Sequence, residues 1–137
     1  MNRDDILAFL SALFGNFLVH ESLAQEITAI IERSGFEKKF FNLLLVRLRF
    51  LGEHGVNAIR HQEFESLAHT AEGLYSMHLS GKGFNVRILY AFLPAGSPVL
   101  LLAFHERSGK KVSEYQTHIP IATQRLNTIL EAHDHGE

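Results

Sequence analysis

The chain has no cysteine, which rules out a disulfide framework, a thiolate nucleophile and a cysteine zinc cluster. Any metal would have to be held by His, Asp or Glu. Long apolar runs are missing too: nothing approaches the roughly 18 uninterrupted apolar residues of a membrane-spanning helix. The opening Met1-Asn2-Arg3-Asp4-Asp5 also lacks the basic segment of a secretory signal. A soluble, cytoplasmic protein without a membrane partner is therefore expected. Excess charge is small, since 13 Lys and Arg stand against 15 Asp and Glu for a formal net charge of -2. The whole molecule does not attract nucleic acid, and RNA binding would need a local patch. Internal repeats, low-complexity runs and Pro/Gly/Ser linkers are absent, as are a Gly-x-Ser-x-Gly elbow and a dinucleotide fingerprint. Gly81-Lys82-Gly83 lacks the Walker spacing and leads into no helix, so it reads as a hairpin turn.

What remains is a chain of 137 residues, 46% hydrophobic, enough to bury one core and hardly two. A single domain over 1–137 follows. From Asp4 to Phe14, Ile6, Leu7, Phe9, Leu10, Leu13 and Phe14 mark one helical face that ends at Gly15. Asn16 to His20 is short and apolar and suits a strand. Ser22 with Gln25 fits a capping box, after which Leu23, Ile27, Ile30 and Ile31 line a second helix up to Ser34-Gly35. Phe40, Leu44, Leu48 and Leu51 define a third. Val56 to Gly73 has no clear period and reads as loop with at most a short helical turn.

Leu74 to Leu79 and Phe84 to Leu93 form a hairpin, because Phe84, Val86, Ile88, Tyr90 and Phe92 alternate along one face. Val99 to Phe104 is apolar throughout, as in a strand covered on both sides, and Ile119 to Leu130 resumes helical spacing through Ala122, Leu126 and Ile129. The order is helix, strand, two helices, three-strand meander, helix: an α+β protein.

Chemistry concentrates after the buried strand, in His105-Glu106-Arg107-Ser108-Gly109-Lys110-Lys111. His105, with an ordinary pKa of about 6.5, is a natural proton shuttle. Glu106 is a possible base, and Arg107, Lys110 and Lys111 are placed to stabilise a phosphorane-like transition state. The plainer alternative is a solvated turn whose charges satisfy one another. Arg87 lies out of phase with the Val86, Ile88, Tyr90 face. It either holds a phosphate on the other side of the sheet or covers apolar surface while pairing a carboxylate. Tyr115 and His118 are set to stack on a base or donate a proton, or else to cap and pack the last helix. His133-Asp134-His135 reads as a polar tail, and His54, His61 and His69 show no metal-ligand spacing.

The segments Gly73-Leu74-Tyr75-Ser76-Met77-His78-Leu79 and Phe84-Asn85-Val86-Arg87-Ile88-Leu89-Tyr90 follow a recognisable order. After them come Leu101-Leu102-Ala103-Phe104 before the basic loop and Ile121-Ala122-Thr123-Gln124-Arg125-Leu126. Together they resemble the RelE/HigB superfamily of toxins from bacterial type II toxin–antitoxin systems, in particular its phage-derived HigB-like branch. The segment Leu48-x-x-Leu51-Gly52-Glu53-His54-Gly55 adds to the likeness, which covers Asn16 to Leu130. His78 stands where the family has an arginine, Glu106 stands where it has a lysine, and the stretch from Phe104 to Ala122 is longer than usual.

The resemblance implies a RelE-like, mostly antiparallel four-stranded sheet with two packed helices and a C-terminal helix, extended here by an N-terminal helix over 1–15. It implies a metal-independent endoribonuclease that uses no cofactor and cuts mRNA on the ribosome by 2′-hydroxyl attack. Arg87, His105, Glu106 and Arg107 would be its catalytic residues, and Lys110, Lys111, Tyr115 and His118 would bind substrate. A helix-turn-helix antitoxin would be its partner, and the first helix would cover the sheet, mediate self-association as a homodimer or occupy the groove that an antitoxin helix would take. Glu106 and the mild acidity favour a rival within the same fold, a non-catalytic protein that binds a topoisomerase or an antitoxin-like partner. A mobile-element domain without catalysis is a third reading.

Overall fold

In the computed structural model, which describes residues 1–135, a five-stranded mixed sheet is covered by helices on both faces. Helix α1 (Arg3–Leu13) leads to strand β1 (Leu18–Val19), helices α2 (Leu23–Ile31) and α3 (Glu37–His54), and a 3-10 turn over Gly55–Arg60. Strands β2 (Phe64–Ser66), β3 (Tyr75–Gly81), β4 (Phe84–Phe92) and β5 (Pro98–His105) follow, and α4 (Lys111–His135) closes the fold. The strand order is β1-β5-β4-β3-β2, with β1 parallel to β5 and the other neighbours antiparallel.

The expectation of four strands is corrected to five. The extra strand, β2, spans three residues, too few for a period-two signal to be read. Its place is fixed from outside: Phe64 is buried between Phe50 and Tyr90, and Glu65 pairs with Ser76 of β3. Helix α4 starts at Lys111, eight residues before the expected Ile119. Pro120 masks this start in the sequence, because proline cannot donate to the carbonyl four residues back. The helix runs through it all the same, held by Tyr115 and Ala122, which are buried against the sheet two turns apart. Ser22 makes no side-chain cap, so the expected capping box does not form; its own N–H donates to His20 Nδ1 at 3.1 Å. At α1 the cap is real, with Asn2 Oδ1 accepting from the Asp5 N–H at 2.8 Å.

Two cores result. Ile6 and Leu10 of α1, Ile27 of α2 and Phe40, Leu44 and Leu51 of α3 meet Val86, Ile88 and Tyr90 on one face. Helix α1 is thus part of the main core. On the other face Tyr115 and Ala122 of α4 cover Leu89, Leu102 and Phe104. Strand β5 serves both cores, as alternation requires, and carries a β-bulge: Leu89 pairs with Leu102 and Tyr90 with Leu100, which leaves Leu101 without an opposite residue. Leu100 and Ala103 turn to the main core, while Leu101 and Leu102 both face α4.

Tyr90 is fully buried, stacked on Tyr75 at 5.4 Å, and its hydroxyl has no hydrogen-bond partner among the described residues. An unpaired buried hydroxyl costs roughly 1–3 kcal/mol of desolvation. Tyr90→Phe is therefore expected to leave stability unchanged or raise it by up to about 1 kcal/mol, whereas Tyr90→Ala should cost ~3–5 kcal/mol through the cavity it leaves. Urea unfolding of the three proteins checks both.

Candidate functional site

The face of the sheet under α4 is apolar over most of its length and polar at one end. Ser76, His78 and Ser80 alternate along β3, Asn85 and Arg87 lie on β4, Glu65 lies on β2, and Glu106 follows β5. Pairing puts them side by side, with Glu65 opposite Ser76, His78 opposite Arg87 and Ser80 opposite Asn85. Period-two alternation does this, since Met77 and Leu79 take the main core and send the residues between them to the other face.

Arg87 is 9% exposed. Its Nε donates to Glu106 Oε1 at 3.1 Å and its NH1 to Ser80 Oγ at 3.2 Å. Asn85 Nδ2 donates to Glu106 Oε2 at 3.3 Å, while Asn85 Oδ1 accepts from Ser80 at 2.6 Å. Of the two alternatives for this arginine, the one in place is the stem over the sheet with its guanidinium on a carboxylate. Beside it, His78 Nε2 lies 2.8 Å from Glu65 Oε1, and the Tyr115 hydroxyl bonds Ser76 Oγ at 2.8 Å and reaches Glu65 Oε1 at 3.5 Å.

Burial lowers the pKa of His78 from its ordinary 6.5, the Arg87 charge lowers it further, and Glu65 only partly offsets them. The imidazole is neutral at pH 7. Burial also pushes the Tyr115 hydroxyl up to about 12, against the pull of its hydrogen bond to Ser76, so near neutrality it is a donor and not a base.

The other expected site residues are not gathered here. His105 pairs with Val86, so its exposed side chain lies on the opposite face of the sheet from Arg87 and Glu106. Arg107 is turned back onto α4, where its Nε donates to Glu114 Oε2 at 2.9 Å and its NH2 to Oε1 at 3.4 Å. The same guanidinium holds the Glu114 carboxyl below its usual range. Lys110 and Lys111 are exposed and make no ion pair among the described residues. His118 stacks flat on Phe104 at 4.3 Å and bonds the Glu114 carbonyl through Nδ1 at 2.7 Å, a packing role on the helix. Arg87 and Arg107 are thus paired with different carboxylates, Glu106 and Glu114.

Residues that sequence reasoning missed are Glu65 and His78, with Ser76, Ser80 and Asn85 around them. Their signal was the strict polar alternation of Ser76, His78 and Ser80. No three His, Asp or Glu side chains among the described residues are grouped to hold a metal, and no helix is long and apolar enough to cross a membrane.

No family model, characterised protein or solved structure matches this chain. The site's own groups are a neutral imidazole on a carboxylate, a phenol, and a guanidinium paired with a carboxylate.

Since the fold favours neutral His78, its contribution to stability is present above pH 6.5 and is lost as pH falls through its lowered folded value. NMR titration of the imidazole should give a pKa below 6.5 that moves up in Arg87→Gln. A value above 6.5 would mean that Glu65 outweighs burial.

Proposed function

We propose that this chain is a RelE/HigB-like protein that acts by binding another protein and not by cutting RNA. Element order is what supports the family reading: a helix pair, a hairpin, a buried strand and a closing helix follow one another along the chain. Arg125 of the Ala122-x-x-Arg125 segment has a defined job, reaching back to the Leu101 carbonyl at 2.9 Å.

One observation carries the mode of action. Each arginine that would hold a scissile phosphate is paired with a carboxylate of the same chain, Arg87 with Glu106 out of solvent and Arg107 with Glu114 at the surface, where the Arg107 side chain is 66% exposed. Catalysis of phosphodiester cleavage needs donors aimed at developing negative charge, and a guanidinium whose charge is already met supplies little. Besides Lys110 and Lys111, which make no ion pair among the described residues, the surface also exposes apolar side chains. Leu18, Leu45, Val46 and Val112 are exposed, and a cavity of about 670 Å3 opens between α1, β1 and α3 at Leu13, Phe17, Leu18 and Leu45. Exposed apolar patches around concavities are what protein partners use. The partner classes that follow from the resemblance are a helix-turn-helix antitoxin and a topoisomerase.

A second reading, the endoribonuclease, is favoured by the cluster of His78, Glu65 and Tyr115 beside Arg87. There the imidazole–carboxylate pair would take the 2′-hydroxyl proton, Tyr115 would protonate the leaving oxygen, and Arg87 would bind the phosphate once Glu106 withdrew.

Inducible expression in bacterial cells of the wild type, Arg87→Gln and His78→Ala separates the two. The binding mode predicts the same growth arrest from all three, with RNA 5′ ends unchanged. New 5′ ends in the wild type that vanish in either variant would overturn it in favour of the nuclease.

A further inference from the structure

A cavity of about 490 Å3 lies between the chain after β2 and the first turns of α4, apart from the Arg87–Glu106 pair. Leu67, Val112, Tyr115, Ile119 and Pro120 give it an apolar lining, and Val112 is 70% exposed. Two opposite charges, Glu65 and Lys111, stand on its wall without pairing each other. Glu65 uses one oxygen, Oε1, for both His78 and Tyr115, and no donor among the described residues takes Oε2. Pro120 has no N–H for the Gln116 carbonyl, so that acceptor lacks its helical donor, and both residues line the cavity.

These groups describe a ligand. An ammonium is matched by the Glu65 carboxylate, a carboxylate by the Lys111 ammonium, and an apolar side chain by the lining. The volume is in the range of small-molecule sites, which are mostly apolar with a few placed polar groups. We propose that this cavity binds a free α-amino acid with a large apolar side chain, as the zwitterion. Neither the choice of protein partner nor RNA cleavage enters this assignment.

L-Phenylalanine is the probe, compared with phenethylamine, which lacks the carboxylate, and 3-phenylpropionate, which lacks the ammonium. Titration of the intact chain followed by amide NMR should give saturable shifts with L-phenylalanine at Val112, Tyr115 and Gln116. Binding of each single-charge analogue should be at least about tenfold weaker, the scale of one lost charge-assisted hydrogen bond. Glu65→Gln should remove the advantage over 3-phenylpropionate alone, and Lys111→Met the advantage over phenethylamine alone. Absence of saturable shifts, or equal binding of the three compounds to the wild type, would overturn the assignment whether or not the variants fold.

Discussion

Glu26 and Arg125 hold the sheet between its two helical layers. Strand β5 is eight residues long, yet β1 pairs only with Val99 and Leu100. Past that point the outer edge has no strand beside it. Arg125 NH1 donates to the Leu101 carbonyl at 2.9 Å, and Glu26 Oε1 accepts from the Ala103 N–H at 3.2 Å. The two side chains then grip each other, with NH2 to Oε2 at 2.7 Å and NH1 to Oε1 at 3.0 Å. Left unpaired, each of those backbone groups would cost about 1–3 kcal/mol. One helix from each face thus seals a strand edge that would otherwise invite pairing with another chain. A partly buried ion pair adds little net energy by itself, because desolvation offsets much of the attraction; its value here lies in satisfying the bulged strand and fixing α2 and α4 on it.

The site inherits its form from that arrangement. With β5 fixed and the bulge absorbed at Leu101, Phe104 and Glu106 point to the α4 face and His105 to the other. Glu106 therefore arrives beside Arg87, and Phe104 supplies the flat surface on which His118 stacks. The same carboxylate–guanidinium closure occurs at Arg87, Arg107 and Arg125. Lys110 and Lys111 carry charge that the chain itself does not answer.

Much of this is legible in the sequence, and the reasons are local. The three amphipathic helices α1 to α3 announced themselves through Ile6 and Leu10, Leu23 and Ile27, and Phe40, Leu44 and Leu48, all of which are buried. The hairpin followed from alternation on β4, and Arg87 was placed on the correct face by being out of phase with Val86 and Ile88. What stayed hidden was set by tertiary contacts. Strand β2 exists because Phe64 and Glu65 meet β3, and α4 begins early because the sheet holds Tyr115 despite Pro120. Charge partners are the hardest case, since Glu26 and Arg125 stand far apart in sequence and no periodicity links them. The cation-rich loop looked catalytic for the same reason: Glu114, which claims Arg107, lies on a helix that the sequence pattern had started too late.

A double-mutant cycle on Glu26→Ala and Arg125→Ala, read by urea unfolding, tests most directly whether this clasp is what the architecture rests on. If it is, each single change destabilises by roughly 2–4 kcal/mol, because it leaves a charge and a strand-edge group without a partner. The two should then be coupled by more than about 1 kcal/mol. Additive losses of a few tenths would contradict the account and make β5 stable on its hydrophobic contacts alone.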